Sequence, residues 1–154
     1  MTTSTAPIVV GVDGSPASVD ALRWALTQAE LTSAPVEAIA AWQTPSQYGF
    51  EVYSAEVDWA DLAEQTLETA VKDAADGSTV AVTSVAVQGH PAQVLVDASA
   101  RAQLLVVGSR GHGRLAGMLL GSVSEYVIAH AACPVLVIRN PAPAPGTEGV
   151  AAQG

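Results

Sequence analysis

Residues 108–122 have the sequence GSRGHGRLAGMLLGS, in which five of the fifteen residues are glycine and two are arginine. The segment directly follows the apolar run LLVV at residues 104–107. Glycine lets the backbone turn through positive φ and lets a ligand lie close to the main chain. Arginine carries a rigid fork of donors that matches a phosphate group. The segment therefore predicts an anion-binding loop at the end of a buried strand.

The charge of the chain is unevenly placed. Asp and Glu number 15 against 6 Lys and Arg, and the formal net charge is −9. This balance argues against a nucleic-acid partner and against an anionic membrane surface. Two of the six cationic residues, Arg110 and Arg114, nevertheless lie in the glycine-rich segment. Their concentration there indicates an anionic ligand; two solvated loop arginines are the alternative.

Length and composition limit the classes of protein to which the chain could belong. A chain of 154 residues is expected to form one domain. We expect that domain to span residues 1–140, and the Pro-, Ala- and Gly-rich residues 141–154 to form a disordered tail. The start of the chain lacks the layout of a signal peptide, and no apolar run is long enough to cross a membrane. The single cysteine, Cys133, suits a reducing compartment and is expected in the core. These features predict a cytoplasmic protein.

Short apolar runs alternate along the chain with longer segments of helical period. The runs predict strands at residues 6–13, 35–42, 78–87, 103–108 and 134–139. The segments between them predict helices at residues 15–31, 55–77, 90–102 and 122–132, and residues 43–54 are expected to form a loop. With right-handed crossovers, this alternation predicts an α/β fold. Its single doubly wound, Rossmann-like sheet has five parallel strands in the order 3-2-1-4-5, with helices on both faces.

Such a sheet binds ligands at the carboxyl ends of its strands, where the strand order reverses. The first and fourth strands are neighbours at that point. The loop GVDGS at residues 11–15 follows one, and the glycine-rich segment follows the other. In the last helix, Ser122 and Glu125 have the spacing of a capping box, which predicts a helix that begins near Val123. The free N–H groups and the dipole of that helix would attract phosphate; a capped helix without a ligand is the alternative.

Several common phosphate-binding and catalytic motifs are excluded. A P-loop needs a Lys after its second spaced Gly, and the segment contains no Lys. The segment GHGRLAG has one residue too many for Gly-x-Gly-x-x-Gly, and it follows the fourth strand rather than the first. The chain contains no His-x-Gly-His signature of adenylyl transfer. His112 is therefore expected to be a neighbour of phosphate rather than a catalyst.

Three stretches of the chain resemble the universal stress protein family. The glycine-rich segment has the spacing Gly-x2-Gly-x9-Gly-Ser, which is the motif of the family's ATP-binding subgroup. Residues 9–18, VVGVDGSPAS, and residues 133–139, CPVLVIR, are also similar to the family. The likeness covers about residues 6–139.

The resemblance implies a set of nucleotide contacts. Asp13, with Gly11 beside it, would meet the ribose or its metal, although VDGS also fits an Asx turn that starts a helix. Ala41, near the end of the second strand, would offer its backbone to the adenine edge. The cradle for ribose and phosphates would comprise Gly108, Ser109, Arg110, Gly111, His112, Gly113 and Arg114. The outer phosphates would meet Gly121, Ser122, Val123 and Ser124.

The resulting hypothesis is a regulatory module of the stress response that binds ATP with Mg²⁺, without a dedicated set of protein ligands for the metal. The alternatives are a slow ATPase or phosphoryl-transfer enzyme, and a binder of AMP or cyclic AMP. No second carboxylate for a metal pair is recognisable, which predicts a protein that is not an efficient enzyme.

The fifth strand predicts a homodimer. It carries four successive apolar residues, Val135, Leu136, Val137 and Ile138, and in the predicted strand order it lies at the edge of the sheet. An edge without charge or cover tends to pair with another strand. Two copies that pair their fifth strands across a two-fold axis would close the assembly, and the resemblance points the same way.

Overall fold

The computed structural model describes residues 5–44, 46–47, 50–51, 57–109 and 120–139. Its strands and helices alternate along the chain, as the apolar periodicity predicts. The elements are β1 (Ile8–Gly11), α1 (Pro16–Thr32), β2 (Val36–Trp42), β3 (Ser46–Gln47), β4 (Phe50–Glu51), α2 (Trp59–Ala74), β5 (Val82–Gln88), α3 (Pro91–Ser99), β6 (Leu104–Gly108), α4 (Ser122–His130) and β7 (Val135–Ile138). The predicted tail at residues 141–154 lies outside the described residues.

Five of the strands form one parallel sheet in the order β5-β2-β1-β6-β7. In chain order these are the first to fifth strands of the sheet, so the predicted order 3-2-1-4-5 is confirmed. The central strand β1 pairs Ile8 with Val36 of β2 on one side and with Leu104 of β6 on the other. The strand order therefore reverses between β1 and β6.

The helices cover both faces of the sheet. Helices α1 and α2 bury Leu22 and Leu67 against Val10 on one face. Helices α3 and α4 bury Leu95 and Val127 against Val9 on the other. Val9 and Val10 are both fully buried because successive side chains of a strand point to opposite faces. No helix in the described part of the chain is both long and apolar enough to cross a membrane.

Side-chain hydrogen bonds in the connecting loops cause some helices and strands to begin at residues other than those predicted. Helix α2 begins at Trp59 rather than at residue 55 because the Asp58 side chain caps it, accepting from the N–H of Asp61 at 3.0 Å. Strand β5 begins at Val82 rather than at residue 78, because Ser78 accepts from the N–H of Val80 and holds a turn. The predicted loop at residues 43–54 contains the short antiparallel pair β3–β4, whose two-residue strands are too short to produce a periodic pattern.

Candidate functional site

The loop after β1 is held together by its own side chains. The Asp13 carboxylate accepts from the N–H of Ser15 at 2.9 Å, which forms the Asx turn that VDGS predicts as one alternative. Ser15 caps α1 by accepting from the N–H of Ser18 at 3.2 Å. The Ser18 hydroxyl donates to the Ser15 carbonyl and accepts from the N–H of Asp13. Gly14 has a φ of 84°, which permits the tight reversal. The exposed Asp13 side chain is thus fixed at the carboxyl end of β1.

Two glycines of the predicted site lie close to a packed helix. A Cβ on Gly11 would lie 2.8 Å from Cδ1 of Leu95 in α3. A Cβ on Gly108 would lie 2.9 Å from Cβ of Ala17 in α1 and 3.0 Å from the carbonyl oxygen of Ala17. The side of Gly108 on which a side chain would stand therefore faces the first turn of α1. Both glycines let a helix approach the end of a strand beside the crevice between β1 and β6.

One hydrogen bond joins the two ends of the glycine-rich segment. The buried Ser109 donates its N–H to the carbonyl of Ile138 in β7, at 2.8 Å. Its own carbonyl accepts from the N–H of Gly121 at 2.7 Å. The chain therefore leaves the end of β6 and returns to the same point. Between these ends, the predicted site residues Arg110, Gly111, His112, Gly113 and Arg114 lie outside the described residues.

Helix α4 begins at Ser122, one residue before the predicted start near Val123, and the predicted capping box is wrong because Ser122 is not the N-cap. Gly121 is the N-cap, with φ −78° and ψ 165°, and its carbonyl accepts from the N–H of Glu125 at 3.0 Å. No side chain caps the helix. The bond from Gly121 to Ser109 fixes the extended residue at position 121, so Ser122 becomes the first helical residue. Its exposed side chain consequently does not cap its own helix.

A buried hydroxyl ties the first turn of α4 to β6. Ser124, 3% exposed, donates its hydroxyl proton to the carbonyl of Gly108 at 2.7 Å. This proton is engaged within the protein, so Ser124 would meet a phosphate through its backbone N–H. The N–H groups of Ser122, Val123 and Ser124 have no acceptor within the helix, because the first helical bond starts at Glu125. They lie at the positive end of the α4 dipole, where an anion is stabilised.

The backbone of Ala41 lies beyond the point at which β1 stops pairing with β2. The N–H of Val12 donates to the carbonyl of Ile39, and Gly11 with Ile39 is the last register pair of β1 and β2. Backbone groups of alternate residues in a strand point to the same neighbour, so Ala41 also faces β1. It lies two residues beyond that last pair. Its N–H and carbonyl therefore face the crevice, as an adenine edge would require.

The structure thus brings the described part of the predicted site together at the carboxyl ends of β1, β2 and β6. Sequence reasoning missed Gly14 and Ser18, which shape the Asp13 loop. The Ser-x-x-Ser spacing at residues 15–18 was the available signal, but a capping box is expected to carry Glu or Gln at the fourth position. Within the described residues, no group of three or more His, Cys, Asp or Glu is placed to hold a metal ion.

Comparisons with known proteins place the chain among its relatives. The model of the universal stress protein family matches residues 5–139. A universal stress protein of Mycobacterium tuberculosis is 41% identical over 139 residues, which cover 88% of this chain and 46% of that protein. The chain therefore spans about half the length of the curated relatives that it matches.

Two solved structures share the fold and hold adenine nucleotides. A universal stress protein in complex with cAMP is 27% identical with a TM-score of 0.68, and the match covers 89% of this chain and 98% of that one. The universal stress protein from Archaeoglobus fulgidus in complex with dAMP is 26% identical with a TM-score of 0.65, over 88% of this chain and 99% of that one.

Proposed function

Because the chain belongs to the universal stress protein family, we propose that it binds ATP with Mg²⁺ in the crevice at the ends of β1, β2 and β6. The observation that carries the proposal is the hydrogen bond from Gly121 to Ser109, at 2.7 Å. It returns the glycine-rich segment to the end of β6 and sets the open N-terminus of α4 there. A phosphate held in this segment would meet backbone N–H donors without any further movement of the helix.

Each part of the nucleotide has a counterpart in this crevice. The backbone of Ala41 would take the adenine edge, and the Asp13 carboxylate would take the ribose or the metal ion. The phosphates would meet the N–H groups at the N-terminus of α4, and the sequence supplies two arginines, Arg110 and Arg114, in the glycine-rich segment before that helix. Two guanidiniums and a helix N-terminus provide more positive potential than a single phosphate needs. This surplus supports a triphosphate over AMP or cyclic AMP, the two mononucleotides that remain as alternatives.

Magnesium would be bound largely through the nucleotide. Mg²⁺ keeps several waters and takes one or two carboxylates together with phosphate oxygens. Asp13 is the carboxylate at the end of β1 and would supply the protein's oxygen ligand. When bound, the ion would offset the repulsion between the phosphates and the Asp13 carboxylate, which is larger for ATP than for AMP.

Binding is tested by calorimetry on the purified protein, with ATP, ADP, AMP and cyclic AMP, each with and without Mg²⁺. We expect ATP with Mg²⁺ to bind most tightly of the four nucleotides. Ser122→Ala removes an exposed hydroxyl at the start of α4 and should weaken ATP binding roughly tenfold, the value of one hydrogen bond to a charged group. Thr66→Ala, on α2, is the matched control and should not change affinity. Tighter binding of cyclic AMP, or equal loss in both variants, would contradict the proposal.

The proposed role is regulatory rather than catalytic, in the cytoplasm. The proposal assigns the Asp13 carboxylate to the ribose or the metal ion rather than to an attacking water, so turnover should fall far below the ~10 s⁻¹ typical of enzymes. Phosphate release is measured on purified protein with ATP and Mg²⁺. Release at several per second that is lost in Asp13→Asn would move the protein to the enzyme class.

The functional unit is proposed to be a homodimer formed through β7. All four of its residues, from Val135 to Ile138, are only half-buried in the single chain, and β7 lies at the edge of the sheet. Pairing with a second β7 would satisfy its outward backbone groups and bury these side chains. Sedimentation equilibrium at tens of micromolar is the test. A monomer with and without ATP would refute the dimer, and deletion of residues 141–154 should leave the dimer intact.

A further inference from the structure

At the opposite edge of the sheet, the described residues show none of the features that usually protect an edge strand. The seven residues of β5, VTSVAVQ at residues 82–88, include no charge and no proline, and within the described part of the chain β5 pairs with β2 alone. Proteins normally blunt such an edge with a Lys, a Pro, a bulge or a covering element. A dimer through β7 would leave β5 at the outer end of the extended sheet, so this edge needs a separate explanation.

The register shows which backbone groups of β5 face outward. The carbonyl of Ala81 accepts from Val36 of β2, and the N–H of Gly89 donates to Trp42 of β2. Odd-numbered residues of β5 therefore point their backbone groups at β2. The N–H and carbonyl groups of Ser84 and Ala86 point away from the sheet, in the arrangement that an added strand would pair with.

A groove of about 430 Å³ runs between this edge and α2. Ser84 and Ala86 line it from β5, and the apolar side chains of Leu67 and Val71 line it from α2. Leu67 is 1% exposed, so it belongs to the floor of the groove. The groove thus joins a row of outward backbone groups to an apolar surface.

The rim of the groove carries net negative charge. Its charged lining residues are Glu64, Glu68 and Lys72, all exposed. The two carboxylates are one helical turn apart, about 6 Å along α2. Alternate residues of an extended strand are about 6.8 Å apart, so two of its side chains on one face could meet both carboxylates. The chain as a whole, at −9, favours a cationic partner.

We propose that β5 is a docking edge for an extended segment of a partner protein with Lys or Arg at alternate positions. The segment adds to the sheet as a sixth strand and pairs with the backbone of Ser84 and Ala86. Its cationic heads reach Glu64 and Glu68, while their aliphatic stems cover the floor at Leu67.

The test is a titration of the ¹⁵N-labelled full chain, followed by NMR, with a capped nonapeptide of alternating Thr and Lys. The account expects saturable shifts and slowed hydrogen exchange at the amides of Ser84 and Ala86. The same peptide with Glu in place of each Lys should not bind. Equal binding of the two peptides, or no shift at these amides with the Lys peptide, would overturn the proposal.

Three variants separate pairing from general charge attraction. Ser84→Pro removes an outward N–H, so it should abolish peptide binding while the ladder to β2 persists. Glu64→Lys together with Glu68→Lys should weaken binding at least about tenfold through like-charge repulsion. Asp61→Lys together with Asp73→Lys, an equal charge change on α2 outside the groove lining, should leave peptide binding within about twofold.

Two measurements keep the outcomes distinct. Circular dichroism and thermal melts establish that each variant is folded. If Ser84→Pro fails to fold, peptide binding by the variant with both Glu64→Lys and Glu68→Lys tests the proposal in its place. Sedimentation of the wild type and Ser84→Pro tests whether a second copy fills this edge instead. Self-association that Ser84→Pro removes would overturn the proposal in favour of a second copy, and unchanged self-association supports it.

Discussion

Substitution of Gly108 tests the fit between α1 and the end of β6, on which the geometry of the site depends. In Gly108→Ala, the new Cβ would lie 2.9 Å from Cβ of Ala17 and 3.0 Å from its backbone carbon and oxygen. Ordinary contact begins at 3.4 Å, so the helix or the strand end must shift by a few tenths of an ångström. The contacted atoms are a helix backbone and a Cβ, which have no rotamer through which they could move aside.

The size of the effect follows from two opposing contributions. Overpacking in a well-packed core costs about 1–3 kcal/mol. Replacement of Gly by Ala also restricts the unfolded chain, which offsets about 0.4–1 kcal/mol. The expected net loss in the free energy of unfolding is about 1–2 kcal/mol, which lowers the Tm by roughly 3–6 °C for a chain of this size. The same shift moves the Asp13 loop away from the N-terminus of α4, so ATP affinity should fall as well.

Chemical denaturation and calorimetric ATP titration of the wild type and Gly108→Ala measure both effects. Gly11→Ala is the matched comparison, because its new Cβ would meet the end of the Leu95 side chain, which can rotate. Its loss of stability should be the smaller of the two. A Gly108→Ala protein as stable as the wild type, or less affected than Gly11→Ala, would refute the assigned packing of α1 against β6.

Four further substitutions probe an ion pair, a backbone conformation and a half-buried thiol. Arg101→Met leaves the Glu37 carboxylate, 14% exposed, without its two 2.6 Å hydrogen bonds. Since Arg101 is half-exposed, the loss in urea denaturation should be about 1–3 kcal/mol, and adding Glu37→Gln should restore part of it. Ser33, at the end of α1, has a φ of 56°, so Ser33→Gly should raise stability by about 1 kcal/mol in the same assay. Burial raises the pKa of the Cys133 thiol above its ordinary 9.0. The stabilisation that the protonated thiol provides is therefore complete below pH 9. It is lost as the pH rises from 9 through the higher pKa of the folded state. Cys133→Ala should remove that part of the alkaline decline in stability.

The fold could be predicted because its strands are buried on both faces. Adjacent residues such as Val9 and Val10 pack into different layers, so the strands are continuous apolar runs rather than alternating ones. The long helices between them then leave little choice of topology. The pair β3–β4 could not be predicted, because two-residue strands have no period.

The details of the site depended on contacts between residues distant in the chain. The spacing of Ser122 and Glu125 fits a capping box, yet a bond from Gly121 to Ser109 sets the start of α4 one residue earlier. Gly108 is expected from the motif to lie against a ligand, yet the structure gives it a packing role against Ala17. A pattern indicates that a glycine is needed, and only the fold shows which of its sides is crowded.

The central claim, that the glycine-rich segment holds ATP, is tested most directly by calorimetric titration of ATP with Mg²⁺ into the wild type and Gly111→Val. A β-branched side chain at this position would occupy the space in which phosphate approaches the backbone. Gly111→Val is expected to lose well over ~1.4 kcal/mol of binding free energy, which is more than a factor of ten in affinity. Equal affinity of the two proteins for ATP would contradict the central claim.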